Sequence, residues 1–325
     1  MTRTTAKERE RTILGVVYTP DEVARFSDDE RPDFTAPVQD EETKRFGVEV
    51  TEFYLSDSHA RLRRIRGYVA DVFGGRYRHA RDRHELPIET VTITPHAGGD
   101  DRHVAALIQR FPETGEHLRL LAEAIRDKGL KAKKYATLQH LNLILVDRLQ
   151  RWGKLTSESL CKLLTSEQVP AAVWRSPFRE VFYVTALGDK WVYVPVVMHT
   201  MMAELFGFAL VVGPHVPREH DCLKTVLEAF GHHLLRRSRG AVLVRGNGAE
   251  YEILHRRYGV LLSDEKGVIV HDYVDCSCPR DSRALSAKDP LPLPRRLMAQ
   301  RLRRYHDAHS FECDVVAPAK APPPP

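Results

Sequence analysis

Strand-like and helix-like hydrophobic patterns alternate along the chain. The segment Phe46–Leu55 alternates apolar and polar side chains, and His140–Asp147 is a nearly continuous apolar run, typical of a strand buried on both faces. A third strand is predicted at Glu89–Thr94. Val181–Ala186 and Trp191–Val197 flank a Gly-Asp turn and predict a hairpin. These segments predict one sheet.

Helical patterns separate the strands. Thr19 followed by Pro20 and two acids predicts a helix start. The other predicted helices in the first two thirds of the chain share an amphipathic or buried apolar pattern; they are Ser58–Phe73, 101–128 with an interruption near Pro112, Ser157–Leu164 and Met201–Val212. The pattern changes past Pro217, where we predict a helix at Leu223–Leu235, short strands at Ala241–Arg245, Glu250–Leu254, Val260–Leu262 and Val268–Tyr273, and a final helix at Pro294–His306.

This order of elements predicts an α/β fold with a smaller α+β part after it. We place an α/β domain at 1–214, an α+β domain at 215–316 and a disordered Pro-rich tail at 317–325. The length of 325 residues allows two domains, and 42% hydrophobic residues allow a sizeable core.

Composition and charge narrow the functional classes. Lys and Arg number 49 against 44 Asp and Glu, a formal charge of +5. The five cysteines lack the paired spacing of a disulfide framework, the start has no apolar signal segment, and no apolar run reaches the roughly 20 residues of a spanning helix. We therefore predict a cytoplasmic protein without a membrane partner. No P-loop motif or Gly-x-Ser-x-Gly elbow is present.

The positive charge is concentrated in arginine clusters. The first lies on the predicted helix directly after the strand Phe46–Leu55 and includes Arg61, Arg63, Arg64 and Arg66. The planar guanidinium suits phosphate, so these four residues predict a nucleic-acid partner. The alternative is an ordinary solvated helix face.

Two carboxylates form the candidate chemical site. On the predicted strand, Val48 and Val50 point one way, so Glu49 and Thr51 point the other. A carboxylate on an inner strand needs a cation, a donor or a metal. Asp33 lies on a preceding extended segment and can bring a second carboxylate to the same place. Two such oxygen ligands are typical of Mg²⁺ that also coordinates a phosphate.

Pro32-Asp33, a connection, and Glu49-Val50-Thr51 in a hydrophobic strand followed by a helix resemble the PD-(D/E)XK nuclease superfamily, the restriction-endonuclease-like fold. The resemblance covers about residues 10–200 and implies a mixed sheet flanked by helices. It implies that Asp33 and Glu49 hold Mg²⁺. The first-helix acid found in many members is matched by Glu22 or Glu30.

The chain departs from the family at one position. Thr51 stands where the family has its lysine, and threonine supplies no positive charge to the transition state. Either a basic side chain comes from elsewhere, with Arg63, Arg64 and Lys44 nearest in sequence, or the site is inactive. The sequence therefore predicts a Mg²⁺-dependent nuclease acting on DNA, with catalytic positions Asp33, Glu49 and Thr51. The alternative is an inactive module that binds nucleic acid or protein.

Overall fold

A computed structural model describes most of the chain. The described residues are 5–38, 41–94, 100–108, 112–135, 138–148, 168–187, 190–212, 214, 222–246, 251–263, 267–273 and 282–289.

Thirteen strands are defined within these ranges: β1 Ser27–Asp28, β2 Phe34–Val38, β3 Glu41–Phe53, β4 Ile88–Ile93, β5 Arg102–Leu107, β6 His140–Asp147, β7 Glu180–Leu187, β8 Lys190–Pro195, β9 Val242–Gly246, β10 Tyr251–His255, β11 Tyr258–Ser263, β12 Gly267–Asp272 and β13 Arg283–Ala284. The described helices are α1 Ala6–Val17, α2 Pro20–Ala24, α3 Asp57–Arg64, α4 Tyr68–Phe73, α5 Asp82–Glu85, α6 Thr114–Ala132, α7 Gln168–Arg175, α8 Val196–Val212 and α9 Cys222–Arg237.

The central sheet is mixed and has the order β1-β2-β3-β6-β7-β8. Strands β3, β6 and β7 run parallel to one another, while β2 and β8 pair antiparallel at the two sides of this trio. The apolar run of β6 is explained by its place between two parallel neighbours, since seven of its eight residues are buried.

Helices cover both faces of this sheet. On one face, Ile13 and Leu14 of α1 pack with Val48 and Val50 of β3 in one hydrophobic cluster. On the other face, α6, α7 and α8 pack against alternate residues such as Leu143 of β6. The chain is therefore a mixed α/β protein whose mixed sheet is flanked by helices, as the sequence predicted.

The second sheet is antiparallel, with the order β12-β11-β10-β9-β13. Helix α9 packs against it, and Phe230 of α9 and Ile253 of β10 belong to the same hydrophobic cluster as Leu143 of the central sheet. The boundary predicted near residue 215 lies among residues that the structure does not describe. On either side of it the two sheets share one core, and the division into domains stays a prediction.

Several predicted elements are confirmed, and three are corrected. The structure contains the predicted strands on 46–55 and 140–147, the β7–β8 pair and the helix start at Thr19. It also contains the helix predicted at 223–235 and the four short strands predicted after it. The single helix predicted over 58–73 was wrong. It is divided into α3 and α4 because Gly67 adopts a left-handed φ of 75° between them.

The segment 101–112 was predicted to be helical and contains β5 instead. The predicted strand at 89–94 exists as β4, but among the described strands it pairs with β5 alone, in a separate two-stranded sheet and not in the central one. Val91 lies opposite Val104 in this ribbon and both side chains are exposed, so strand pairing and not a buried face defines these two strands. The predicted helices at 157–164 and 294–306 and the tail at 317–325 lie outside the described residues.

Among the helices that the structure describes, none has the length and apolar character needed to cross a lipid bilayer.

Candidate active site

Strand β3 positions the first carboxylate. Because successive side chains alternate, Val48 and Val50 enter the core beneath α1, and Glu49 points to the opposite face, toward α6. Glu49 is only 6% exposed. Lys128 from α6 lies 2.5 Å from it, measured from Nζ to Oε1. The Tyr135 hydroxyl also donates to this carboxylate, and burial followed by the charge of Glu49 raises the pKa of Tyr135.

Asp33 lies beside Glu49. It directly precedes β2, and the antiparallel pairing of Phe34 with Val48 continues to place Asp33 next to Glu49. Its Oδ2 accepts the backbone N–H of Val50 at 2.8 Å, which fixes the carboxylate at the strand edge. The ammonium nitrogen of Lys7, on α1, lies 3.9 Å from Asp33 Oδ1. The predicted pair of carboxylates is thus brought together in the fold.

Burial and the neighbouring Glu49 both disfavour the ionised form of Asp33. Burial, and then the negative charge of Glu49, raise the pKa of Asp33 from 3.8 to about 6. The Val50 N–H and the Lys7 ammonium act in the opposite direction and only partly offset this rise. A carboxylate held close to a second one in a desolvated place is the arrangement that a bound cation stabilises.

A pocket of about 430 Å³ opens above the two carboxylates. Its wall contains basic side chains from α1, α3, α6 and the residue after β6, namely Arg9, Arg64, Lys128 and Arg148. The Arg148 guanidinium is held by Glu52, 2.6 Å away, and lies over the Trp191 ring. The pocket therefore combines two adjacent acids with a rim of cations, a distribution that suits a phosphate group next to a cation site.

Helix α1 brings a third acid, Glu10, to the pocket, and the sequence pattern did not indicate this residue. Glu10 of α1 lines the pocket, and its charge contributes to the raised pKa of Asp33. Glu22 instead closes the capping box of α2 with Thr19, and Glu30 lies exposed in a bend; neither lines this pocket. The sequence does contain a signal for the helix that carries Glu10, since Thr5 and Glu8 form a capping box that marks the start of α1.

Helix α6 brings a positive charge, that of Lys128, to the carboxylate of Glu49. Thr51 is half-buried and lines the pocket, and Lys128 takes the place beside Glu49. Of the three basic residues proposed from the sequence, Arg64 lines the pocket, while Arg63 is exposed on α3 outside it and Lys44 is exposed near the start of β3. No sequence signal identified Lys128, because 79 positions separate it from Glu49.

The four arginines proposed for nucleic acid have different surroundings. Arg61 is bound to the fully buried Asp82 and holds α3 to α5, and the same bond keeps the pKa of Asp82 well below its usual value despite burial. Arg63, Arg64 and Arg66 are exposed. Arg64 lies over the Tyr54 ring with 5.6 Å between the guanidinium carbon and the ring centroid. Of the four, only Arg64 borders the carboxylate pocket.

The fit of the site to Mg²⁺ rests on its donor chemistry. Asp33 and Glu49 offer hard oxygen ligands, and their mutual repulsion is the feature that a divalent cation would remove. Within the described ranges, no three His, Cys, Asp or Glu side chains come together as a group able to hold a metal ion. The two carboxylates fit a cation that keeps several water ligands, as Mg²⁺ does.

Comparison of the chain with protein-family models, with curated proteins and with solved structures found no match.

Proposed function

We propose that the protein is a metal-dependent phosphodiesterase that cleaves nucleic acid at Asp33 and Glu49. The observation that carries this proposal is the position of Lys128, whose Nζ lies 2.5 Å from Glu49 Oε1 in the pocket that also contains Asp33. Two carboxylates and one lysine are the three charges that the resemblance to PD-(D/E)XK nucleases implies. Here the lysine is supplied by a helix in place of Thr51.

Each residue has a defined task in this proposal. A divalent cation on Asp33 and Glu49 would activate a water molecule and polarise a phosphoryl oxygen. Lys128 places a positive charge where negative charge develops in the transition state. Arg64 and Arg148 line the rim and are suited to hold the substrate phosphates. The water oxygen bonds to phosphorus and one phosphorus–ester oxygen bond breaks. One water proton ends on the leaving oxygen, and the other is released as the new phosphate ionises.

The test is a cleavage assay with Mg²⁺ or Mn²⁺ on single-stranded DNA, duplex DNA and RNA. Glu49→Gln and Lys128→Met are each expected to lower the rate by about 10²–10³-fold, the usual cost of losing one transition-state charge partner. Lys133→Met is the matched control, since Lys133 is exposed just after α6 and does not line the pocket. The proposal fails if the wild-type protein cleaves none of these substrates, or if Glu49→Gln cleaves as fast as wild type.

A second candidate function is metal-independent binding of nucleic acid without cleavage. It is favoured by the contacts of Glu49, because Lys128 and Tyr135 already bond to the carboxylate that would hold the cation. Titration of the protein with Mn²⁺ by calorimetry separates the two functions. Binding of Mn²⁺ that is lost in Asp33→Asn supports the phosphodiesterase. Nucleic-acid affinity that is unchanged by EDTA, together with no Mn²⁺ binding, supports the binding module.

A further inference from the structure

A separate pocket lies where the central sheet meets the second sheet. Its volume is about 340 Å³, and among the described residues it shares none with the carboxylate pocket. It is bordered by segments at the starts of β6, β7 and β9 and by the end of β10, namely 139–141, 176–179, 239–241, Leu243, Leu254 and Arg256. We call it the junction pocket.

Much of the junction pocket is apolar. Leu141 and Phe178 contribute from the side of the central sheet, and Leu243 and Leu254 lie opposite each other on β9 and β10. A volume of about 340 Å³ is large enough for a small organic molecule, and sites for such molecules combine apolar walls with a few fixed polar groups. The pocket therefore fits a ligand that has an apolar part.

The charged side chains of this pocket have one sign. Three arginines line it, namely Arg179, Arg239 and Arg256, and no Asp or Glu is among its described lining residues. Arg179 is buried and donates to the carbonyl oxygens of Arg256 and Tyr273, which carry no charge that would neutralise it. Within the described part of the chain, the wall of the pocket is therefore positive.

Arg256 is held in place by its turn and by neutral oxygens. It begins the two-residue turn between β10 and β11 with a left-handed φ of 57°, as such tight hairpin turns require. Its Nη atoms donate to the carbonyl oxygens of 173, 174, 176 and 178 and to the Ser238 hydroxyl. Its Nε has no acceptor among the described residues.

The charge of Arg256 therefore lacks a carboxylate partner in the described structure. Burial lowers the pKa of Arg256 to about 10, so the guanidinium stays charged at neutral pH, and the charge of Glu180 acts in the opposite direction. Burying a cation is costly unless an anion pairs with it, so a bound oxyanion would stabilise this arrangement.

Arg239 brings a second guanidinium to the same place. The Trp174 carbonyl oxygen accepts the Arg239 N–H at 2.9 Å and Arg256 Nη2 at 3.1 Å, so the two arginines are anchored at one point. Arg239 is exposed, and its hydrogen bonds to described residues are made by its backbone. Guanidinium groups bind phosphate and carboxylate oxygens in a fixed planar geometry.

We propose that the junction pocket binds a small organic anion in which a phosphate or carboxylate group is attached to an apolar group. The oxygens of the anion contact Arg239 and Arg256, and the apolar group packs on Phe178, Leu243 and Leu254. This site does not depend on the phosphodiesterase function proposed above, because the two pockets have no described lining residue in common.

The test is calorimetric titration of the full chain at low salt with phenyl phosphate, benzoate, inorganic phosphate and phenol. Phenyl phosphate or benzoate is expected to bind with a Kd of about 1 mM or lower, as ligands of this size can. Whichever of the two binds more tightly identifies the anionic group. Inorganic phosphate lacks the apolar part and is expected to bind at least about tenfold more weakly, and phenol, which lacks the charge, is expected not to bind.

The first variant removes one guanidinium. Arg239→Gln is expected to weaken binding of the preferred anion by about tenfold, the lower end for loss of a hydrogen bond to a charged group. Arg236→Gln is the matched control, because Arg236 is exposed near the end of α9 and does not line the pocket. Equal losses in the two variants would mean that the anion responds only to net charge, and the proposal would fail.

The second variant fills the site from within and leaves the contacts of Arg256 in place. Ala241 is exposed and lines the pocket. Ala241→Glu supplies a carboxylate that competes with the ligand, so the affinity for the anion is expected to fall at least about tenfold, whereas the neutral Ala241→Gln changes it less than about threefold.

Three results overturn the proposal: neither anion binds, phenol binds as tightly as the anions, or Ala241→Glu binds the anion as tightly as Ala241→Gln. The same titration of Asp33→Asn separates this inference from the proposed function. Anion binding that is unchanged in Asp33→Asn, in a wild-type protein that cleaves no nucleic acid, supports the junction pocket and refutes the phosphodiesterase. Metal-dependent cleavage without anion binding has the opposite meaning.

Discussion

At the scale of single residues, the candidate site holds two neighbouring carboxylates that repel each other when both are ionised. Asp33 lies beside Glu49, and burial and this neighbour raise its pKa from 3.8 to about 6. Because the folded-state pKa is above the unfolded value, the contribution of Asp33 to stability is greatest below pH 3.8 and is lost as the pH rises through about 6. Near neutral pH, the ionised carboxylate therefore destabilises the fold unless a cation binds.

Asp33→Asn is expected to stabilise the protein near neutral pH. Asparagine cannot ionise, yet its carbonyl oxygen can still accept the Val50 N–H. We expect the free energy of unfolding to rise by about 1–2 kcal/mol at about pH 7.5, an energy already reduced for the partial exposure of the side chain. This gain is expected to disappear at about pH 4. Urea unfolding at the two pH values measures it. A loss of stability at pH 7.5, or the same difference at both pH values, would contradict the electrostatic origin.

The repulsion between Asp33 and Glu49 also predicts that a divalent metal ion stabilises the folded protein. Mn²⁺ at millimolar concentration is expected to raise the Tm of the wild-type protein, because a ligand that binds only the folded state stabilises it. Asp33→Asn is expected to show at most a small part of this rise. Thermal unfolding with and without Mn²⁺ measures the difference, and Mg²⁺ provides a second cation. An equal rise in both proteins would place the bound metal elsewhere.

At the scale of secondary-structure elements, β3 and its neighbours place the site. The sequence predicted this strand and the position of Glu49, because alternation along one strand is a local pattern. It did not predict Lys128, because the contact depends on how α6 packs across the sheet. It also misassigned 101–112, where β5 is defined by its register with β4 and not by a pattern of its own. The division between α3 and α4 depends on Gly67, whose left-handed φ shows only in three dimensions.

Gly47 of β3 is expected to control the position of Asp33. A Cβ atom at this glycine would overlap the ring of Pro32 and approach Leu138 Cδ1 to 2.7 Å. Since Pro32 directly precedes Asp33, Gly47→Ala is expected to displace the carboxylate, to cost about 1–3 kcal/mol and to lower any cleavage activity. Chemical unfolding and the metal-dependent assay measure the two effects.

Gly15→Ala provides the matched control on α1. An added Cβ there meets no atom within 4 Å, and alanine favours a helix interior, so a gain of about 0.5–1 kcal/mol is expected. If Gly47→Ala is as harmless as Gly15→Ala, the close packing of Pro32 on β3 does not position the site.

At the scale of the whole molecule, buried polar contacts join the two sheets. Glu180 of β7 accepts the hydroxyl of Tyr258 from β11, together with the N–H groups of Val181 and Val197. Burial raises the pKa of Glu180 to about 7, and these donors only partly offset that effect. The shared hydrophobic core and this carboxylate make the second sheet a support for the strands that carry the site.

Arg256, in the turn between β10 and β11, provides the strongest test of whether the second sheet supports the central sheet. Its guanidinium donates to the carbonyl oxygens of Phe178 at 2.7 Å and of Val173, Trp174 and Ser176 at 3.1 Å each, around the end of α7. The ammonium of a lysine cannot reproduce this planar set of donors, so Arg256→Lys leaves buried carbonyls without partners and is expected to cost about 2–4 kcal/mol.

Arg175→Lys, at the exposed last residue of α7, is the control and should change stability by less than about 0.5 kcal/mol. Hydrogen exchange of β6 and β10 amides shows whether the parts unfold together. If the common core makes them one cooperative unit, Arg256→Lys accelerates exchange in both strands by the same factor, since both amides then report global unfolding. Acceleration in β10 alone would mean that the second sheet opens independently, and the site on β3 would then keep its stability without that support.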